Sequence, residues 1–372
     1  MTIIRLLSRI LVGIVFIFSG FVKAIDPLGS AYKFQDYFQA FNLDSLSFLS
    51  LILSFMLFIT EFTAGVSVLT GLRFKTGIWT VLLMMLIFTP LTFILALTNP
   101  VSDCGCFGDA VHLTNWQTFG KNIIILSLTL ILFSARNNIS TKLKPAAEWI
   151  LISTAVLIIF LFSLYNLRYL PVVDFLPYKK GINISENMII PEGVPVDEYY
   201  TTFIYEKDGV EKEFTLENYP ADDTTWKFID QKTKLVKEGY KPPVHDFVIT
   251  TTDNEDITQK ILADTGYTVM MIARKLDEAD PGNLQEGFGL GQYLGTTSVS
   301  FYVLTSSGSE EVEKYKNGLQ FCLMDETTLK TMIRSNPGYI LIRDGTILEK
   351  WSWANVPEHE DFRAIINARH QN

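Results

Sequence analysis

Residues 103–109 read Asp103-Cys104-Gly105-Cys106-Phe107-Gly108-Asp109, a short polar loop that holds two of the three cysteines and sits between the apolar runs Ile78–Leu97 and Phe119–Phe133. Its flanks decide the fold class. About 20 apolar residues, rising 1.5 Å each, cover the ~30 Å of hydrocarbon in a bilayer. Working outward, Ile3–Val22, Phe48–Leu72 and Ala147–Leu167 are runs of the same kind, and Phe119–Phe133 is the shortest of the five. Of 372 residues 48% are hydrophobic, and the mean hydropathy of +0.23 lies above what a soluble domain carries. The chain is therefore expected to be a membrane α-helical bundle of five transmembrane helices, followed by an exported β-rich module and an α/β domain. Ile3–Val22 is followed by Lys23-Ala24-Ile25-Asp26-Pro27 rather than a small-residue cleavage site, so it is expected to be a retained first helix leading into a polar loop.

Lys and Arg in short loops stay on the cytoplasmic side of a membrane. Arg5 and Arg9 place the N-terminus there, as do Arg73 with Lys75 and Arg136 with Lys142 and Lys144 for the second and fourth loops. Alternation then puts residues 23–47, the loop of Cys104 and Cys106, and everything after Leu167 on the opposite face. The expected location is a bacterial inner membrane with a cytoplasmic N-terminus and periplasmic C-terminal domains.

Outside the cytoplasm thiols meet oxidants, which makes a disulfide between Cys104 and Cys106 a reasonable reading. A ring closed between positions i and i+2 is cramped and more oxidising than a structural crosslink, and it closes too short a loop to brace the fold. That favours exchange chemistry. The bland alternatives are a bond that pins a turn and a pair of small buried residues. A metal site would draw on His112, Asp103 and Asp109, but two Cys and one His form an incomplete ligand set, so no metal is expected.

Two segments carry a resemblance to a known family. Ser19-Gly20-Phe21-Val22-Lys23-Ala24-Ile25-Asp26-Pro27, closing the first helix, resembles the small pair, Lys and Asp-Pro of DoxX-like proteins; Cys104-Gly105-Cys106-Phe107-Gly108-Asp109 resembles the Cys-Gly-Cys-Phe-Gly segment of MauE-like proteins. The resemblance covers residues 1–135 as a four-helix membrane unit. It implies a thiol-redox role in the cell envelope, because MauE-type proteins are associated with disulfide-dependent maturation of an exported enzyme. Residues 147–167 add a fifth transmembrane helix.

Glu61 lies inside an apolar run, where an acid is costly unless protonated or partnered. It should face other helices. Gly65, one turn on, would let a neighbouring helix approach. Glu61 reads either as a proton relay or quinone contact, or as structural glue bonded to Thr60, Ser67, Lys23 or Arg73. Pro90 should kink its helix.

Residues 168–241 read as an exported β-rich module. Tyr199–Leu216 alternates as a strand, a turn at Glu206-Lys207-Asp208-Gly209 and a second strand. Its aromatics, Tyr199, Tyr200, Phe203, Tyr205, Phe214, Tyr219, Trp226 and Phe228, are expected to form a core more than a binding surface. Residues 242–372 alternate strands and helices: Phe247–Thr250, Asp256–Leu262, Tyr267–Ala273, a helical stretch to Tyr293, Ser298–Thr305, Thr327–Arg334, Tyr339–Arg343, Thr346–Trp351 and Glu358–Ala368. The Asn336-Pro337-Gly338 hairpin and closing helix resemble the C-terminal half of a thioredoxin-like fold, with Pro337 where that fold carries its cis-proline. Where thioredoxins carry Cys-x-x-Cys this chain reads Arg274-Lys275-Leu276-Asp277, so the domain is a degenerate one, and Cys322 reads as a buried inert thiol.

The net charge of −9 argues against nucleic acid, the four histidines are dispersed, and the sequons at Asn138 and Asn183 are of the kind chance supplies. Two functions remain. One is a thiol-disulfide oxidoreductase component acting through Cys104 and Cys106 in the maturation of an exported protein, with Glu61 as a proton relay; no cofactor is certain, and a quinone is the electron acceptor that would suit it. The other is a scaffold subunit of an envelope complex. In both the lipid bilayer and an exported protein or larger complex are the partners.

Overall fold

The computed structural model describes residues 2–101, 103–195, 198–207, 209–220, 223–237, 239–315 and 318–370. Among the described residues five helices are long and apolar enough to cross a bilayer: α1 (Thr2–Ile25), α3 (Ser50–Thr70, entered through a 3-10 turn at Asp44–Leu49), α4 (Phe74–Thr98), α5 (Asn115–Ser134) and α6 (Pro145–Arg168). α5 starts at Asn115 rather than Phe119 because Thr114 and Gln117 form a capping box. α4 runs through Pro90 to Thr98 as one helix.

The polar loop expected after Val22 is instead mostly helix. α1 continues to Ile25, and α2 (Pro27–Ala40) begins two residues later. Asp26 is its N-cap, the carboxylate accepting the Gly29 amide at 2.8 Å, and Pro27 takes the first helical position, where its missing N–H costs nothing.

α1 lies tightly against α3. A Cβ on Gly20 would stand 2.6 Å from the Phe62 amide nitrogen, and one on Gly65 equally close to that of Ile17, so both glycines are required by contact of the two backbones. Val12, Phe16, Ala64, Val68, Ile78, Val81, Met85, Ile125 and Leu132 fill the space between α1, α3, α4 and α5. Ile159 of α6 packs on Ala24 and Phe58. Leu83, Leu86 and Ile87 of α4 and Leu157, Ile158 and Leu161 of α6 remain exposed, an apolar outer surface suited to lipid.

The chain divides into two units, residues 183–247 and the remainder. That division differs from the one drawn by composition at 168 and 242. Residues 169–182 join the larger unit by pairing with a strand edge: the Gly181 amide bonds the Ile347 carbonyl at 2.8 Å, and the Ile347 amide bonds that of Ile182 at 2.9 Å.

The smaller unit holds α7 (Ile184–Met188) and an antiparallel sheet, β1 (Glu198–Lys207), β2 (Val210–Thr215) and β3 (Lys227–Lys237), in the order β2-β1-β3. The expected hairpin is present, although Asp208 at its turn lies outside the described residues. β3 was hidden by its run of lysines. The expected aromatic core is overturned: among the described strand residues only Ile204 is buried, while Tyr199, Tyr200 and Phe228 are more than half exposed. Three strands cannot enclose two faces. Tyr205, Phe214, Phe228 and Trp226 meet edge to face instead, at 5.0–5.8 Å between centroids.

In the larger unit, residues 248–372 form β4 (Thr250–Thr251), α8 (Thr258–Leu262), β5 (Tyr267–Ile272), α9 (Pro281–Leu294), β6 (Ser300–Thr305), α10 (Ser309–Lys314), β7 (Gln320–Leu323), α11 (Glu326–Met332), β8 (Gly338–Arg343), β9 (Thr346–Ser352) and α12 (His359–His370). The expected first strand shrinks to Thr250–Thr251, because the Ile249 amide bonds the Thr258 hydroxyl at 2.8 Å and its carbonyl takes the Ile257 amide, leaving Ile249 outside the sheet. The sheet runs β4-β7-β6-β5-β8-β9, with β5, β6 and β7 parallel and β8 and β9 antiparallel to their neighbours. A parallel βαβ unit, then a hairpin led by the cis peptide Asn336-Pro337 and a closing helix, is a thioredoxin-like arrangement. Its core is formed by Val269, Met271, Phe288, Val303, Leu341 and Phe362.

Candidate dithiol site

The loop between α4 and α5 folds back over the end of the bundle formed by α1 and α2. Gly105 has φ +65°, a left-handed conformation that places Cys104 and Cys106 side by side with their sulfurs 3.2 Å apart, and a Cβ there would press on Cγ of Lys33. Asp103 bonds the Gly105 amide at 2.7 Å and the Lys33 ammonium at 3.1 Å, while Tyr37 of α2 donates to the Cys104 carbonyl at 2.8 Å.

Beneath the loop lies a buried polar cluster. Ser19 and Lys23 are one turn apart on α1 and face Glu61 of α3. The Lys23 ammonium donates to Ser19 Oγ at 2.7 Å, to Glu61 Oε2 at 2.9 Å and to the Cys106 carbonyl at 2.5 Å, which uses all three of its hydrogens. Both side chains of the Lys23–Glu61 pair are 5% exposed. Glu61 is thus brought to the loop through Lys23, one of the four partners considered for it, rather than touching either sulfur. Lys121 of α5, whose ammonium lies 4.3 Å over the Phe107 ring, closes the other side.

These surroundings make the two cysteines unequal. The hydrogen bond from Cys104 holds the Cys106 thiol down, to about 6, against the opposing effect of burial and with help from the Lys121 and Lys23 charges. The same bond pushes Cys104 up, and burial adds to the rise. The two shifts run in opposite directions and favour ionisation at Cys106. Sequence reading left open which cysteine reacts; the 3.2 Å contact is the same for both sulfurs, and their surroundings favour Cys106.

A cavity of about 160 Å³ opens beside the pair. Phe16, Phe34, Leu57, Met85, Phe88 and Ile125 give it apolar walls, and the two cysteines, Lys23, Glu61, Lys121 and Asn122 gather at its polar side. Burial pushes the Tyr37 hydroxyl at its rim well up, so that group stays a neutral donor.

The thioredoxin-like domain meets this site with the edge on which its cis-proline lies. Arg334, two residues before the cis peptide and 5% exposed, places Nε 2.8 Å from Asp26 and Nη2 2.8 Å from Asp109 of the cysteine loop. Tyr32 of α2 sits among Arg274, Lys330 and Arg334, each 5.0–5.7 Å from its ring centre. Arg274 and Lys275, standing where a thioredoxin carries redox cysteines, are tied to Glu326. Cys322 is fully buried on β7, and burial pushes its thiol up to about 12.

Sequence reading did not single out Lys33, Tyr37, Lys121 or Arg334. Lys121 alone left a signal, as a lysine within an apolar helix; the others are brought in by α2 and by a contact across more than two hundred residues.

Residues 1–135 match the family described as Methylamine utilisation protein MauE. Residues 199–238 match one described as Domain of unknown function (DUF8463). No curated protein matches the chain. Among solved structures, the chain is similar to a candidate protein disulfide isomerase from Bacteroides thetaiotaomicron (13% identity, 34% of this chain and 85% of that one, TM-score 0.26). It is also similar to the C-terminal domain of a candidate thiol-disulfide oxidoreductase from the same organism (15%, 34% and 93%, 0.28). A secreted disulfide oxidoreductase from Mycobacterium tuberculosis is a third (17%, 33% and 96%, 0.26).

Proposed function

We propose that this chain is a membrane thiol-disulfide exchange component that oxidises exported proteins through Cys104 and Cys106, with the loop and the residues after α6 on the extracytoplasmic face. The observation that carries the reading is the pairing of two sulfurs 3.2 Å apart beside a buried Lys23–Glu61 pair and an apolar cavity. In the oxidised chain a partner's thiolate attacks Cys104 Sγ and expels Cys106, the better leaving group because its thiolate is the stabilised one. The partner's second thiolate then attacks its own sulfur in the mixed disulfide and releases Cys104, which takes up a proton. The partner leaves with a disulfide, and the chain holds a dithiol.

The apolar walls of the cavity support a lipid-soluble quinone as the acceptor that restores the disulfide: two electrons and two protons pass from the dithiol to give the hydroquinone. The thioredoxin-like domain lacks thiols in its usual redox position and serves as a cap that fixes the loop through Arg334.

Trapping tests the reading. An exported protein reduced to a single cysteine should attack the oxidised chain and stay trapped on Cys104 as a mixed disulfide on non-reducing gels of native membranes, and neither Cys104→Ser nor Cys106→Ser, which hold no disulfide to attack, should trap it. Absence of adducts from the unsubstituted chain, with envelope disulfides unchanged in the double variant, would leave the scaffold reading in its place.

A further inference from the structure

At the end of the bundle opposite the dithiol, a cleft of about 240 Å³ opens between α3, α4 and α6. Arg73, in the turn between α3 and α4, lies with its guanidinium carbon 4.7 Å over the Trp149 ring. Its Nε is buried and without a hydrogen-bond partner, and among the described residues no carboxylate pairs with it. Deeper in the same cleft the Thr63 hydroxyl is also buried and unpartnered. Arg9 of α1 reaches the same turn at Gly71, and its Nε too is buried and unpartnered. Orphaned polar atoms are rare in folded proteins, and a guanidinium nitrogen buried without a partner is unfavourable. Two of them, on Arg73 and Thr63, line one cleft and mark a place for an anionic ligand.

The chemistry of the cleft defines that ligand. A guanidinium fork matches phosphate oxygens two at a time, and a tryptophan at the end of a membrane-crossing helix sits at headgroup depth. Ile152 and Val156 continue the cleft along α6 as an apolar track. We propose that it binds an anionic phospholipid, its phosphate on Arg73, a glycerol or ester oxygen on Thr63, and the start of one acyl chain along Ile152 and Val156. Basic pockets between helices take lipid headgroups by this combination of charge and apolar track.

The test is thermal unfolding of the full chain in detergent, titrated with phosphatidylglycerol, phosphatidylcholine or inorganic phosphate. Phosphatidylglycerol should raise the unfolding temperature saturably, and the other two should not. Arg73→Gln should weaken the half-saturating concentration at least about tenfold, the order expected for losing a charge-assisted bond. Thr63→Val, which keeps the shape and the charge, should weaken it less and guards against a misfolded Arg73 variant. Equal stabilisation by phosphatidylcholine or by phosphate alone, or wild-type titrations in both variants, would overturn the proposal.

Discussion

Replacing Arg334 by Ala should detach the thioredoxin-like domain from the cysteine loop while leaving the bundle intact. The side chain is 5% exposed and binds two carboxylates at 2.8 Å each, Asp26 at 11% exposure and Asp109 at 21%. Removing one member of a buried ion pair typically costs about 3–5 kcal/mol, since the charges left behind lose their counter-ion. Asp26 keeps its bond to the Gly29 amide and Asp109 is partly solvated, which puts the loss at the low end, about 3 kcal/mol. At ~1.4 kcal/mol per decade that is roughly a hundredfold shift toward the undocked state. Hydrogen exchange of the full chain in detergent reads it: amides of α2 and residues 103–109 should exchange up to about a hundredfold faster, with α4 unchanged as the internal control. Arg334→Lys, a point charge without the fork, should fall between. If α2 and the loop exchange in Arg334→Ala as in the parent, the contact does not hold the domain and its role as a cap is wrong.

The alkylation rate of the reduced protein by iodoacetamide should rise through about pH 6, the thiolate of Cys106 being the reacting species, and the rise should vanish in Cys106→Ser. Because that folded-state value lies below the unfolded one of about 8.5, Cys106 contributes stability that is present above pH ~8.5 and is lost as pH falls through about 6, which denaturant titrations across this range can follow. Lys23→Met leaves Glu61 buried without its cation and should cost about 3–5 kcal/mol in denaturant titrations, whereas the double replacement with Glu61→Leu should recover most of that loss. Gly105→Ala must hold an L-residue at φ +65° and crowd Lys33, and should destabilise the chain by about 1–2 kcal/mol while slowing reoxidation of the cysteine pair in an alkylation gel shift.

The membrane half was legible because lipid imposes one solution: length and apolarity mark a spanning helix whatever its neighbours are, and all five windows fall on helices. Helix ends were less so, since the windows follow apolar residues and the helices begin at caps such as Thr114 and Lys144. α2 was missed for a related reason: Ser30, Lys33, Asp36 and Gln39 give it a polar composition, and what holds it is a cap and packing on α3 and α6. The parallel strands were legible as continuous apolar runs, Tyr267–Ile272 above all. The thin sheet of residues 198–237 was misjudged, because its aromatic content suggests a core that three strands cannot build.

The hydrogen bond between the two cysteines is the main source of their asymmetry, and the membrane helices add to it from outside the loop. Lys23 belongs to α1 and Lys121 to α5, yet both charges bear on Cys106, and Lys23 also holds its backbone carbonyl. Glu61 acts at one remove, through its 2.9 Å bond to Lys23 in a site nearly closed to water. Lys23 and Ser19 are the two groups that touch both the Glu61 carboxylate and the Cys106 carbonyl. The degenerate domain completes the design from the other side, where Asp109, three residues after Cys106, is clamped by Arg334. Under the proposed function the domain needs no cysteines of its own, because Arg334 holds it to the loop that carries the exchanging pair.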